Sequence, residues 1–255
     1  MPFDARARSL RMTGTELRLP PPFRLVRLRE WGDAYEHAKR VAAQAGAGTL
    51  AHVGRFDLAE FALVLEPDEP LARARRAFYA GMAALAGALA SHAQPESLIE
   101  IKWPGALTVN LGLVGGGRLA WPEGTAETDV PDWLVFGGMI RTAGTDAQPE
   151  LEPDVTALAE EGFLDIGAEN LVESFARNMM LHLDAWREDG FDSVARSYLA
   201  RLVQTGDLPA IDGNGDLMLR SPGRNKTERR ELVPALASDD WTLTGSQLRR
   251  PEAAT

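Results

Sequence analysis

The chain has 255 residues, of which 45% are hydrophobic and 25% charged, a formal charge of −10 and no cysteine. That length suits one large globular domain plus a small one, and the composition is ordinary for such a protein. A disulfide framework, a thiolate metal site and a cysteine nucleophile are excluded. The acidic balance argues against a nucleic-acid partner, which needs Lys and Arg to neutralise phosphates.

No run approaches the roughly 18 apolar residues of a membrane span, and residues 1–22 lack a signal-type apolar core. A membrane partner is therefore not expected, and a reducing cytoplasm fits the missing cysteines. Residues 1–22 read as a loose tail ending at Pro20-Pro21-Pro22. The body is expected over 23–203, and a small β domain over 204–255.

Phe23–Leu28 alternates apolar and basic residues, as a strand does. Asp33 can cap a helix to Ala45, with Gly46 as its stop. Gly48–Val53 and Ala59–Leu65 read as strands, joined by the tight loop Gly54-Arg55-Phe56-Asp57, which makes Arg55 a candidate anion contact. Asp68-Glu69-Pro70 opens a helix predicted to run to about His92, with Leu71, Ala74, Phe78, Met82, Leu85 and Leu89 on its buried stripe. Arg73, Arg75 and Arg76 are expected on its solvated side.

Glu100–Trp103 alternates, Pro104-Gly105 turns, and Leu107–Val109 and Leu113–Trp121 form a hairpin reversing at Asn110-Leu111-Gly112. Gly115-Gly116-Gly117 lies inside the returning strand. Each glycine there costs roughly 0.5–1 kcal/mol relative to alanine; close approach of a ligand or a backbone is one reason for it, and a bulge or bend is the other. Lysine is scarce: Lys39, Lys102 and Lys226 are the only three. If the chemistry needs an amine, Lys102 is the candidate; otherwise it is the solvated face of a strand.

Trp133–Ile140 reads as a central, buried strand, 144–153 as a loop, and Asp154–Glu161 as a short helix. Glu169–Glu188 is a long helix broken at Gly190, and Phe191–Leu202 a second segment. Ile211–Leu219 is a turn and a strand. Its Asp212, Asn214 and Asp216 lack the glutamate that completes a calcium loop. His37, His52, His92 and His182 show no metal spacing, so no metal ligands are assigned. No phosphate loop or nucleophile elbow is present.

Lys102-Trp103-Pro104 with the following hairpin resembles the central motif of the biotin–protein ligase and lipoate–protein ligase superfamily. Gly116 falls at the family's strand glycine. Leu134–Arg141, the helix pair Leu171–Leu202 and Ile211–Leu219 are similar to its later elements in order and spacing. The resemblance implies an α+β fold, a mixed β-sheet flanked by helices of class II synthetase type, with a small C-terminal β module.

It also implies ATP-dependent activation of a biotin- or lipoate-type acid, with ATP and Mg as cofactors, and transfer to a lysine of a biotinyl or lipoyl carrier domain. Lys102 and Arg118 would act in catalysis, and Arg55, Trp103, Gly115, Gly116, Gly117 and Arg141 in ligand binding. The chain departs from the family where Gly105-Ala106 replaces Asn-Asp, Leu113 replaces a second lysine, Arg141 replaces an asparagine, and the basic loop is reduced to Gly54–Asp57. The alternative these departures imply is an inactive homologue that binds a carboxylate, a nucleotide or a carrier domain.

Overall fold

The computed structural model describes residues 17–144, 154–163, 166–223 and 226–237. Seven strands form one sheet: β1 (Arg24–Leu28), β2 (Thr49–Val53), β3 (Leu58–Leu65), β4 (Ile99–Lys102), β5 (Ala106–Val109), β6 (Gly112–Ala120) and β7 (Leu134–Arg141). Their order is β1-β2-β3-β7-β6-β5-β4. β1 and β2 run parallel and every other pair is antiparallel, so the sheet is mixed. β3 and β7 pair in register from Leu58↔Arg141 to Leu65↔Leu134. Both are apolar almost throughout because both faces of this central pair are covered.

The helices are α1 (Ala34–Ala45), α2 (Leu71–Ala74), α3 (Ala77–Ala90), α4 (Ala168–Asp189), α5 (Phe191–Leu199) and α6 (Leu232–Ala237). α3, α4 and α5 cover one face of the sheet and share its main core. There Phe175 of α4 meets Phe61 at 4.4 Å and stacks on Phe136 at 5.7 Å between ring centres. α1 covers part of the other face, setting Ala34, Tyr35, Ala38 and Ala42 on Ala51, Val53, Ala62, Val64 and Val135. Its start is fixed as expected: the Asp33 carboxylate accepts from the Glu36 amide at 2.9 Å. It stops where Gly46, at φ 76°, returns its N–H to the Ala42 carbonyl.

The helix predicted from Asp68 to His92 is two helices. α2 ends at Ala74 and α3 starts at Ala77. Neither Asp68 nor Glu69 caps α2; Pro70 is its N-cap, and the first amides of α2 donate to Asp129 and Glu127 carbonyls at 2.8 and 3.0 Å. α3 is buried on nearly all sides, because it lies between the sheet and α4–α5. Arg75 and Arg76, expected in solvent, are 6% exposed. Arg75 donates to Glu127 at 2.6 Å and to the Asn214 carbonyl at 2.8 Å. Residues 154–161 are turns rather than a helix, since Val155 bridges to Leu113 of β6 instead.

A second sheet, β10-β9-β8, joins β8 (Leu208–Ile211), β9 (Leu217–Arg220) and β10 (Thr227–Arg230). It shares the main core through Leu217 and Leu219, as α6 does through Leu232. The Tyr79 hydroxyl donates to the Gly215 carbonyl at 2.6 Å, which ties the turn before β9 to α3. Asp212 accepts from the Asn214 and Asp216 amides at 2.9 Å, and Asp216 pairs with Arg229. Asp212 is used inside the turn, and Asp216 ties the turn to Arg229 of β10 and to the Leu232 amide. The loop at 145–153, residues 1–16 and the chain end lie outside the described residues.

Candidate functional site

Strand pleat sorts the predicted site residues between the two faces. Ile101, Gly117 and Ile140 point to the α3–α4–α5 side: Ile101 and Ile140 belong to its core, and a Cβ on Gly117 would stand 2.6 Å from Met82 Sδ. Their neighbours Lys102, Gly116 and Arg141 therefore fall on the opposite side. Arg118 does too, and its guanidinium carbon lies 3.9 Å from the centre of the Tyr35 ring of α1. Register runs Lys102↔Ala106↔Gly116↔Met139 across four adjacent strands. Two strand spacings, about 10 Å, separate Lys102 from Gly116 along that row, and Arg118 is one pleat beyond.

Arg118 is held from two sides. Tyr35 stacks on it, and Asp33 Oδ1 lies 3.9 Å from its Nη2. Its cross-strand partner is Gly137, and the Tyr35 ring occupies the volume a Gly137 side chain would need, with Tyr35 Cδ2 2.5 Å from that Cβ position. The glycine thus lets Tyr35 lie down on the sheet beside Arg118. The side chain of Arg118 remains 20% exposed. A guanidinium has five N–H donors, so a group stacked on one ring and near one carboxylate still has donors for an anion.

Lys102 is exposed at the end of β4, with no ion pair among the described residues. Arg141 is half-buried at the end of β7, and its carbonyl accepts from the Leu158 amide at 3.0 Å. Arg55 sits in the β2–β3 loop at that same end, but it is committed to the chain itself. Its Nε donates to Asp57 Oδ1 at 2.9 Å, and the hydrogen bonds to Asp57 hold its pKa above the ordinary arginine value. Asp57 is 6% exposed, and its carbonyl takes the Thr142 amide at 2.9 Å. The loop is thereby locked to the end of β7, and Arg55 would have to exchange Asp57 for a ligand.

Three of the eight residues have other reasons for their identity. Gly115, at φ 151°, brings its backbone so close to β7 that a Cβ would lie 1.9 Å from the Met139 carbonyl oxygen. Gly117 makes room for Met82 and Phe136. These two glycines accommodate the protein's own backbone and core. Trp103 packs against the helix-side core. Its Nε1 is buried near the Tyr79 hydroxyl without meeting hydrogen-bond geometry. The Pro104 carbonyl beside it accepts from Tyr198 at 2.7 Å, so the Trp-Pro turn is anchored from the side away from Arg118.

Leu113, at the position where the resemblance implies a lysine, joins Leu58, Met139 and Ala106 in a small apolar cluster on the Arg118 side. Asp33 and Glu60 lie on that side; Glu60 is 2% exposed and accepts from the Ala34 amide at 2.9 Å. Tyr35 and Glu60 were not legible as site residues, because their places depend on α1 folding over the sheet. The one available signal was Glu60 itself, an acid inside the apolar run Leu58–Leu65. Among the described residues no three His, Asp or Glu side chains are grouped to hold a metal, and no helix is long and apolar enough to cross a membrane.

The model of the biotin/lipoate A/B protein ligase family matches residues 19–200. A biotin–[acetyl-CoA-carboxylase] ligase from Paracoccus denitrificans is 29% identical over 199 residues, 68% of this chain and 76% of the relative. A solved biotin protein ligase-like protein of unknown function from Silicibacter sp. TM1040 is 26% identical with a TM-score of 0.75, covering 86% of this chain and 98% of that one. The biotin protein ligase of Aquifex aeolicus in complex with biotin and ATP shares the fold at a TM-score of 0.59 and 15% identity, covering 82% and 99%.

Proposed function

The chain belongs to the biotin/lipoate A/B protein ligase family, and on that premise we propose that it activates a biotin- or lipoate-type carboxylic acid with ATP and transfers it to a carrier-domain lysine. In the first step the acid's carboxylate oxygen attacks the α-phosphorus, and pyrophosphate leaves. In the second the neutral lysine amine attacks the acyl carbon, AMP leaves and the amine proton is released. Both steps build negative charge on phosphate oxygens, so the site's task is to hold cations and donors at fixed places. Magnesium would travel with the nucleotide, taking ligands from its phosphates and water.

The observation that carries this reading is the shared face of Lys102, Gly116 and Arg118. Arg118, oriented by Tyr35 and Asp33, is suited to grip a carboxylate or phosphate through two N–H groups. Gly116 lets the acid come close to the backbone between the two cations. Lys102 and Arg141 supply charge from the rims. The family relatives named as biotin ligases support biotin as the first acid to try.

A second reading is a module on the same scaffold that binds a carboxylate, a nucleotide or a carrier domain without adenylation. Leu113 in the apolar cluster and Arg55 bound to Asp57 favour it, because both remove cations that the resemblance implies near the reacting phosphate. Calorimetric titration of biotin, lipoate and octanoate, with and without ATP, separates the readings when paired with mass spectrometry of a carrier domain. The ligase reading expects binding plus a mass increase on the carrier lysine. Binding without a mass increase establishes the module, and no binding of any acid or nucleotide removes both.

A further inference from the structure

A groove of about 820 Å³ opens on the α3–α4–α5 side of the molecule. It lies beside Leu65 and Leu134, the pair at one end of β3 and β7. Arg141 and Arg55 belong to the other end, seven residue steps away, about 23 Å along the strands. The groove is therefore separate from the Arg118 face in both direction and position, and the proposed ligase reaction uses none of it.

Its floor is apolar and aromatic, from Leu65, Leu134, Ala77, Met180, Leu183 and Trp186. Phe191 and Trp186 are fixed by Arg76, whose guanidinium carbon is 4.6 Å from the Phe191 ring centre and 5.7 Å from that of Trp186. The rim is charged, and its charges are unevenly satisfied. All three basic residues already have partners: Arg76 with Glu69 at 2.8 Å, Arg73 with Glu69 at 3.5 Å, and Arg187 with Asp184 at 3.3 Å. Of the acids, Asp68, Asp189 and Asp192 line the groove with no counter-ion among the described residues. The concavity is of small-molecule size, with an apolar floor and a heavily charged rim.

We infer that this groove is a second binding site, taking a small organic cation whose apolar body lies on Leu183 and Trp186 and whose charge meets Asp68, Asp189 and Asp192. The three carboxylates are exposed, so a neutral ligand would gain nothing from them, a cation would gain a modest attraction, and an anion would be repelled. The inference does not depend on the ligase reading, since no residue of the Arg118 face takes part.

The test uses three probes that share one apolar body: phenylbutylammonium, phenylbutanol and phenylbutyrate. Binding to the full chain is followed by calorimetry and by the Trp186 indole and Leu183 methyl resonances. The cation should bind about tenfold more tightly than the alcohol, as expected for a few partly exposed charge contacts, and the carboxylate least. The variant Asp68→Asn/Asp189→Asn/Asp192→Asn should lose that preference while keeping the alcohol's affinity. Ala47→Trp, at the exposed rim, should weaken all three probes without touching the core. Equal affinity for the three probes, shifts that map away from Trp186 and Leu183, or no binding at millimolar concentration would overturn the inference. So would binding of the basic peptide acetyl-Leu-Lys-Leu-Arg-amide where phenylbutylammonium does not bind, because the occupant would then be a protein segment.

Discussion

The guanidinium of Arg118 lies on the ring of Tyr35 at 3.9 Å, and Gly137 clears the floor beneath that ring. A strand cation is thus oriented by a helix residue through a glycine on the next strand. Cation–π contacts contribute roughly 0.5–2 kcal/mol depending on desolvation. Tyr35→Phe keeps the stack and should leave acid affinity near the parent value. Tyr35→Leu should weaken it by roughly threefold to thirtyfold, read by calorimetry with stability checked in parallel. Equal affinities for both variants would remove Tyr35 as the residue that orients Arg118.

Gly115 should be far less replaceable than its exposed counterparts. Alanine there must displace the Met139 carbonyl at 1.9 Å and adopt φ 151°, so backbone strain and overpacking add to about 3 kcal/mol or more. Gly124, with nothing within 4 Å of its Cβ position, carries only the cost of its own φ of 77°, about 1 kcal/mol. Urea unfolding of Gly115→Ala and Gly124→Ala gives the comparison, and similar losses would contradict the packing account.

The Tyr79 hydroxyl bond to the Gly215 carbonyl joins the small sheet to α3. Tyr79→Phe should cost about 1–2 kcal/mol, since it also strands a carbonyl in a buried setting. Amide exchange should speed first in Leu217–Arg220, ahead of the central strands. A loss spread evenly over β3 and β7 would mean that the two sheets do not open separately.

His52 is fully buried on β2, and burial holds its pKa below the ordinary 6.5, with Arg27 adding to the effect. Its Nδ1 donates to the Glu60 carbonyl at 3.0 Å, since a carbonyl can only accept, and Nε2 has no partner. The unfolded chain takes up the proton at a higher pH than the folded one does. Stability from this residue is therefore complete above pH 6.5 and is lost as the pH falls from 6.5 through the folded value. His92 and His182 are lowered in the same direction by burial. The difference in denaturation slope between the parent and His52→Gln below that pH isolates the His52 share, and identical slopes would refute it.

The strands of the large sheet and α1 were legible because each depends on local signals: alternation, a capping Asp33, a stop at Gly46. What could not be read depends on packing between distant segments. Arg75 and Arg76 look like solvated charges in sequence, yet the fold brings Glu127, Asn214 and Trp186 to them. The three consecutive glycines looked like one feature, but Gly115 meets a neighbouring backbone and Gly117 meets Met82 and Phe136. Of the predicted site residues, pleat parity joined Lys102, Gly116, Arg118 and Arg141 on one face, while Trp103 turned to the helices. That parity was implicit in the strand reading. The stacking of Tyr35 on Arg118 was not, because only the path of α1 over β6 and β7 creates it.

The central claim is acid activation on the face that carries Arg118. The most direct measurement is exchange of labelled pyrophosphate into ATP in the presence of biotin, lipoate or octanoate, for the parent and for Arg118→Ala. At least one acid should support exchange, and Arg118→Ala should slow it by about tenfold or more, as loss of a charge-assisted contact of about 1.5–3 kcal/mol requires. No exchange with any acid, or an unchanged rate in Arg118→Ala, would contradict the account.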